Sequence, residues 1–140
     1  GKLAIYGADP KGSPDHAWKV VRSVDTGTAG QLFVKTHPKS DWVWYDSPLA
    51  ADTNLVTQVC VYSKKEGKTH KCWKSADHGR AVHFEYNKQG TEVWVSTWDK
   101  KGEIVVYDDK TLEEKARITG DWLVTPTGKF NVTNTAEDIY

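Results

Sequence analysis

Apolar residues along this chain fall in short alternating runs separated by turn residues, the pattern of many short strands. Leu3-Ala4-Ile5-Tyr6 predicts a first strand, closed by the turn-rich segment from Gly7 to Pro14. Trp18 to Val24 predicts a second, with Trp18, Val20 and Val21 as its buried members, and Asp25 to Gly30 is a glycine-threonine loop. Gln31 to Thr36 predicts a third strand, and His37-Pro38-Lys39-Ser40 turns the chain into Trp42-Val43-Trp44-Tyr45. Strands follow at Val56 to Tyr62 and His70 to Trp73, then at Ala81 to Tyr86, Glu92 to Thr97 and Ile104 to Tyr107. Only Thr111 to Ala116 has helical character, and it is too short, with too thin an apolar face, to be more than a turn leading into another strand. Near the end, Pro126 and Gly128 supply turn chemistry, and Phe130 and Val132 resume the alternation.

These runs repeat. Phe33-Val34-Lys35-Thr36-His37-Pro38-Lys39-Ser40-Asp41-Trp42-Val43-Trp44 aligns with His83-Phe84-Glu85-Tyr86-Asn87-Lys88-Gln89-Gly90-Thr91-Glu92-Val93-Trp94, each residue fifty further on (33 to 83, 44 to 94). The next strand recurs as Val59-Cys60-Val61-Tyr62 and Ile104-Val105-Val106-Tyr107, with an earlier copy at Leu3-Ala4-Ile5-Tyr6. Antiparallel units of about four strands at a period of roughly 40–50 residues are the mark of β-propeller blades. The fold class is therefore all-β, a partial propeller. Residues 1–26 end one blade, 27–76 and 77–120 make two blades, and 121–140 form a ring-closing strand. Propellers close with typically four to eight blades. The chain is thus expected to be the carboxy-terminal part of a larger ring, its last strand pairing with the amino-terminal side to hide an open edge.

Composition adds limits. Nineteen basic residues balance nineteen acidic ones, so no charge excess points to nucleic acid or a membrane surface. Seven Trp, six Tyr and three Phe without methionine suit half-buried sheet surfaces. No apolar run approaches membrane-spanning length. Gly1 reads as a processing boundary, so the lack of a leader carries little weight. Cys60 and Cys72 have neither CxxC nor haem-attachment spacing. They read as two buried small hydrophobes, with a cross-strand disulfide as the lesser alternative, credible only in an oxidising compartment.

Candidate chemistry follows from blade geometry, because the innermost strand of each blade lines the central channel. Phe33 and His83 hold equivalent places on two such strands, and Thr127 and Gly128 open a third. An aromatic, an imidazole and a hydroxyl beside a glycine should surround one central space, although periodicity alone also allows ordinary blade packing. His83 could donate a hydrogen bond, titrate near neutral pH or ligate. His16, His37, His70 and His78 fall in loops, turns and an outer strand, without ligand spacing. Asp108-Asp109 reads as a hairpin turn, Lys64-Lys65 and Lys100-Lys101 as solvated turns, and Asn131-Val132-Thr133 as a weak glycosylation sequon.

Five segments, in order, resemble one family. They are Ala8 to Lys19, Lys35 to Ser40, Glu85 to Trp94 with Val106 to Leu112, and the closing Thr125-Pro126-Thr127-Gly128-Lys129-Phe130-Asn131-Val132 with Asn134, Thr135 and Tyr140. Together they are similar to the cytochrome cd1 nitrite reductases. The resemblance implies a periplasmic homodimer in which a cytochrome c domain carrying haem c feeds electrons to haem d1 in an eight-bladed propeller, reducing nitrite to nitric oxide. It implies a small c-type cytochrome or a cupredoxin as electron donor, and no nucleic-acid partner or membrane span. Phe33, Trp98, Thr127 and Gly128 would contact the haem d1 macrocycle, whereas the iron ligand, the distal histidines and haem c would lie upstream. The family usually has glutamine where this chain has His83. That departure keeps open a haem d1 biogenesis or transfer protein on the same propeller, beside a cofactor-free binding scaffold.

Overall fold

The computed structural model describes residues 1–123 and 130–132. Ten strands are present among them: β1 (Lys2–Tyr6), β2 (Val20–Asp25), β3 (Val34–Thr36), β4 (Trp42–Asp46), β5 (Gln58–Ser63), β6 (Lys68–Lys74), β7 (Arg80–Tyr86), β8 (Glu92–Trp98), β9 (Glu103–Asp108) and β10 (Glu114–Thr119). They form a two-stranded sheet, β1-β2, and two four-stranded sheets in simple meander order, β3-β4-β5-β6 and β7-β8-β9-β10. Every strand pair is antiparallel. This is an all-β partial propeller built of four-stranded antiparallel blades.

The register carries the sequence repeat into three dimensions. Val34, Lys35 and Thr36 face Tyr45, Trp44 and Val43, and fifty residues later Phe84, Glu85 and Tyr86 face Val95, Trp94 and Val93. Val43 faces Tyr62 on its other side, as Val93 faces Tyr107. Even the turns agree, since the Lys64 N–H donates to Asp41 O at 3.0 Å and the Asp109 N–H to Thr91 O at 3.0 Å.

Inner strands are nearly continuous apolar runs because both of their faces are covered. Side chains alternate across a strand, so Trp44, Val59 and Val61 point one way, into a core shared with Phe84, Tyr86, Val93, Val95, Val105 and Tyr107 of the next sheet. Tyr45, Cys60 and Tyr62 point the other way, against Leu3, Ile5 and Val24 of the two-stranded sheet. Trp44 sits at the centre of an aromatic group, with Trp73 at 5.2 Å and Tyr107 at 5.6 Å between ring centroids.

A second tie is polar. Asp109 Oδ1 accepts from the Ser40 hydroxyl at 3.0 Å, the Trp44 indole N–H at 3.2 Å and the Tyr86 hydroxyl at 2.8 Å. Ser40 and Trp44 belong to one sheet, and Tyr86 and Asp109 to the next. Burial pushes the Tyr86 phenol upward and the neighbouring Asp109 charge adds to this, so Tyr86 remains a donor. On the outer strands, Arg117 donates to Glu103 at 2.8 Å and reaches back across the interface to Ser75 O at 3.1 Å.

The structure corrects several sequence readings. Cys60 and Cys72 stand directly opposite across β5 and β6, and they form a disulfide. Two cysteines facing each other across an antiparallel pair are close enough to bond, which a spacing of twelve along the chain did not reveal. Trp18, Val20 and Val21 are exposed rather than buried, because the two-stranded sheet packs against its neighbour through Leu3, Ile5 and Val24. Asp108-Asp109 does lie at the β9–β10 hairpin turn, but the two carboxylates part: that of Asp108 accepts from the Lys110 and Thr111 N–H groups, whereas Asp109 is buried. Lys64 is not simply solvated, since its ammonium donates to His37 O and Ser40 O. Thr111 does lead into a strand, β10.

The disulfide yields a direct expectation. Cys60→Ser should lower unfolding free energy by about 2–3 kcal/mol, the scale for a short closed loop. Reduction of the unaltered chain should reproduce the loss in urea denaturation. Identical curves with and without reductant would rule out a stabilising bond.

Candidate functional site

The innermost strands of the two four-stranded sheets, β3 and β7, lie side by side, and equivalent residues meet. The Phe33 and His83 rings are in edge contact at 4.8 Å. Lys35 and Glu85, the next equivalent pair, form an ion pair at 3.4 Å. Phe130 then brings a second ring to His83, at 5.4 Å and again edge-on. The imidazole is thus held between two phenyl rings that come from before and after it in the chain.

A β-bulge aims His83 there. The ladder between β7 and β8 pairs Val82 with Ser96 and Phe84 with Val95, leaving His83 as the extra residue. Its φ of 66° lies in the left-handed region, which histidine tolerates better than most side chains but at a cost of about 1–3 kcal/mol. Bulges of this kind redirect one side chain and collect next to functional sites.

Asp46 fixes the bulge from the neighbouring sheet. Its Oδ1 accepts from the Leu32 and Phe33 N–H groups at 2.8 and 3.0 Å, and its Oδ2 from the His83 N–H at 3.2 Å. One fully buried carboxylate therefore positions both Phe33 and His83. Burial pushes its pKa upward, and the N–H donors oppose that shift only in part. The same bonds explain why β3 begins at Val34 rather than at Gln31: the Leu32 and Phe33 amides are spent on the Asp46 carboxylate instead of on the β4 backbone.

The imidazole's two nitrogens differ. Nε2 lies 2.9 Å from Glu85 Oε1, inside a buried pair. Among the described residues, the buried Nδ1 has no hydrogen-bond partner, and neither does the buried Ser96 hydroxyl, opposite Val82 at the same bulge. Leaving a buried polar atom unpaired costs about 1–3 kcal/mol, and such atoms are the ones a bound group can satisfy.

Phe33 and His83 thus come together as the repeat predicts. Trp98 ends β8 opposite Arg80 and is 37% exposed; among the described residues no ring contact joins it to Phe33 or His83. Thr127 and Gly128 lie outside the described residues. Sequence reasoning missed Asp46, Lys35, Glu85 and Phe130. The repeat itself held a signal for the ion pair, since Lys35 and Glu85 occupy matched positions with opposite charge.

The fold and site define a class: part of an all-β propeller whose innermost strands present an aromatic–imidazole wall. The chain belongs to the Cytochrome D1 heme domain family, whose model matches residues 2–135. It is 44% identical over 139 aligned positions to a nitrite reductase of Stutzerimonas stutzeri, covering 90% of this chain and 25% of that protein. It is 28% identical over 117 positions to a dihydro-heme d1 dehydrogenase of Pseudomonas aeruginosa, covering 84% of this chain and 22% of that protein. Among solved structures, the dihydro-heme d1 dehydrogenase NirN in complex with DHE superposes with a TM-score of 0.64 at 25% identity, over 73% of this chain and 21% of that one. The chain therefore spans about a quarter of the length of these relatives. Among the described residues, no helix is long and apolar enough to cross a membrane.

Proposed function

We propose that this chain forms part of the wall of a haem d1 pocket in a periplasmic nitrite reductase that produces nitric oxide in denitrification. In this reading it supplies the end of one blade (1–26), two blades (27–76 and 77–120) and a ring-closing strand (121–140) of an eight-bladed propeller. The rest of the propeller, the cytochrome c domain with haem c, the second subunit of a homodimer and the electron donor, a small c-type cytochrome or cupredoxin, lie elsewhere.

The observation that carries the reading is the meeting of Phe33 and His83, fifty residues apart (33 to 83), on adjacent innermost strands of a chain in this family. The residues present suit a flat macrocycle. Aromatic rings at Phe33 and Phe130 offer apolar surface, and the buried His83 Nδ1, without a hydrogen-bond partner among the described residues, offers a polar contact. Phe33 and His83 would hold the group, with Trp98, Thr127 and Gly128 completing the contacts. When bound, haem d1 supplies the redox chemistry, while these side chains orient it and exclude water. The disulfide accords with an oxidising compartment such as the periplasm.

The reading is tested by titrating haem d1, followed by absorbance, into the isolated chain and into the full-length protein. The full-length protein should bind stoichiometrically and the isolated chain weakly or not at all, because no iron ligand is assigned here. Tight stoichiometric binding by the isolated chain would overturn that division of labour.

A second reading, a protein that handles haem d1 during biogenesis or transfer without reducing nitrite, draws on the likeness to the dihydro-heme d1 dehydrogenases. Nitrite turnover by the full-length protein loaded with haem d1 separates the two.

A further inference from the structure

We propose that Lys35, Glu85 and His83 act as one unit that locks the His83 ring in its Nε2–H tautomer and presents Nδ1 as a hydrogen-bond acceptor for a proton-bearing group of a ligand. The inference goes beyond the haem d1 reading, since it concerns the state of the ring and holds whichever ligand the wall faces.

Glu85 is the deciding group. It is buried, one oxygen lies 2.9 Å from His83 Nε2 and the other 3.4 Å from the Lys35 ammonium. An adjacent cation favours the ionised carboxylate, and an ionised carboxylate can only accept. The neutral imidazole must then carry its proton on Nε2, which leaves a bare lone pair on Nδ1. This is the arrangement by which a carboxylate behind a histidine sets the ring's tautomer and orientation. The surroundings hold the ring in this orientation: Phe33 and Phe130 flank the imidazole, and the backbone that carries it is tied to Asp46.

Nδ1 is therefore a buried acceptor that nothing in the described chain satisfies. A ligand edge bringing a hydroxyl, an N–H, a protonated carboxyl or a held water would pair with it. A bare carboxylate, which can only accept, would be disfavoured while the ring is neutral. Lys35 and Glu85 are positioning residues here, since they act on the ligand only through His83. The Lys35–Glu85 pairing also crosses between sheets, so Lys35 reinforces the Glu85 charge only when β3 and β7 are docked.

The test is nitrogen NMR on the full chain labelled with 15N-histidine, the His83 signals being assigned by their loss in His83→Gln. The neutral ring of the unaltered chain should show a protonated Nε2 and an unprotonated Nδ1. Glu85→Gln should give a tautomer mixture, because an amide can accept from the ring or donate to it, and Lys35→Met should give a smaller change in the same direction. A ring protonated on Nδ1 in the unaltered chain would overturn the proposal. So would a tautomer ratio that Glu85→Gln leaves unchanged. Should Glu85→Gln fail to fold, the spectrum of the unaltered chain and that of Lys35→Met still decide it. Haem d1 titration is independent of this outcome, so failure of either reading is recognisable by itself.

Discussion

Asp109→Ala should destabilise the chain by about 4 kcal/mol, read as a lower midpoint in urea denaturation. The change removes the shared acceptor of three buried donors, since the Ser40 hydroxyl, the Trp44 indole and the Tyr86 hydroxyl all converge on Asp109 Oδ1. Tyr86 can fall back on Ser40 Oγ and Ser40 on Trp42 O, which leaves the Trp44 N–H stranded. Hydrogen bonds to a charged acceptor contribute roughly 1.5–3 kcal/mol each, and an unsatisfied buried donor costs about 1–3 kcal/mol. Because the donors share one acceptor, their losses will not simply add. Asp109→Asn keeps a carbonyl oxygen in place and should lose about half as much. A loss below about 1 kcal/mol in Asp109→Ala would show that the packing of Trp44 and Tyr107 alone holds the two sheets together. Ser40 and Trp44 come from one sheet and Tyr86 from the next, so the damage should also appear as faster amide exchange across β4 and β7.

Asp46→Ala should cost about 3 kcal/mol, the balance of two opposing effects. Removing the carboxylate orphans the Leu32, Phe33 and His83 N–H groups, yet it also removes a buried charge that resists desolvation. Unlike Asp109, Asp46 supports the site directly, so the Phe33–His83 ring contact should loosen. His83 ring resonances are expected to broaden or shift in Asp46→Ala. Unchanged His83 resonances would show that the bulge is set by β7 and β8 alone.

Asp46 also predicts a pH dependence. Its folded pKa is raised above the ordinary 3.8, with burial as the largest cause. The native state therefore holds this proton more tightly than the unfolded state. Its contribution is fully present below the unfolded pKa and is lost as pH rises through the folded pKa. In Asp46→Asn that decline, which starts near pH 4 and runs upward, should be absent. Subtracting the two stability–pH profiles isolates it, and a difference that grows more favourable to the unaltered chain with rising pH would contradict the sign.

Much of this molecule is legible in its residues. Alternation over short runs marks the strands, and the fifty-residue offset between Phe33–Trp44 and His83–Trp94 reappears as identical pairing of Val34 with Tyr45 and Phe84 with Val95. The same offset puts Phe33 beside His83. Such features follow from local sequence because side-chain alternation and turn chemistry act over a few residues.

Other features depend on residues that are far apart in the chain. Asp108 and Asp109 look alike in sequence, but one closes a turn and the other gathers donors from Ser40, which is 69 residues away, and from Trp44, which is 65 away. Cys60 and Cys72 become a disulfide only once the β5–β6 register sets them opposite. Trp18 and Val20 look like core residues, yet the two-stranded sheet turns its other face to its neighbour. By itself the sequence determined the blades, their repeat and the pairing of equivalent inner-strand positions, all products of short-range pattern. Only the tertiary structure decided which distant buried polar groups meet, namely Asp109 with its three donors and Asp46 with the bulge. Those contacts arise where sheets dock, and docking brings together residues whose separation along the chain carries no local signal.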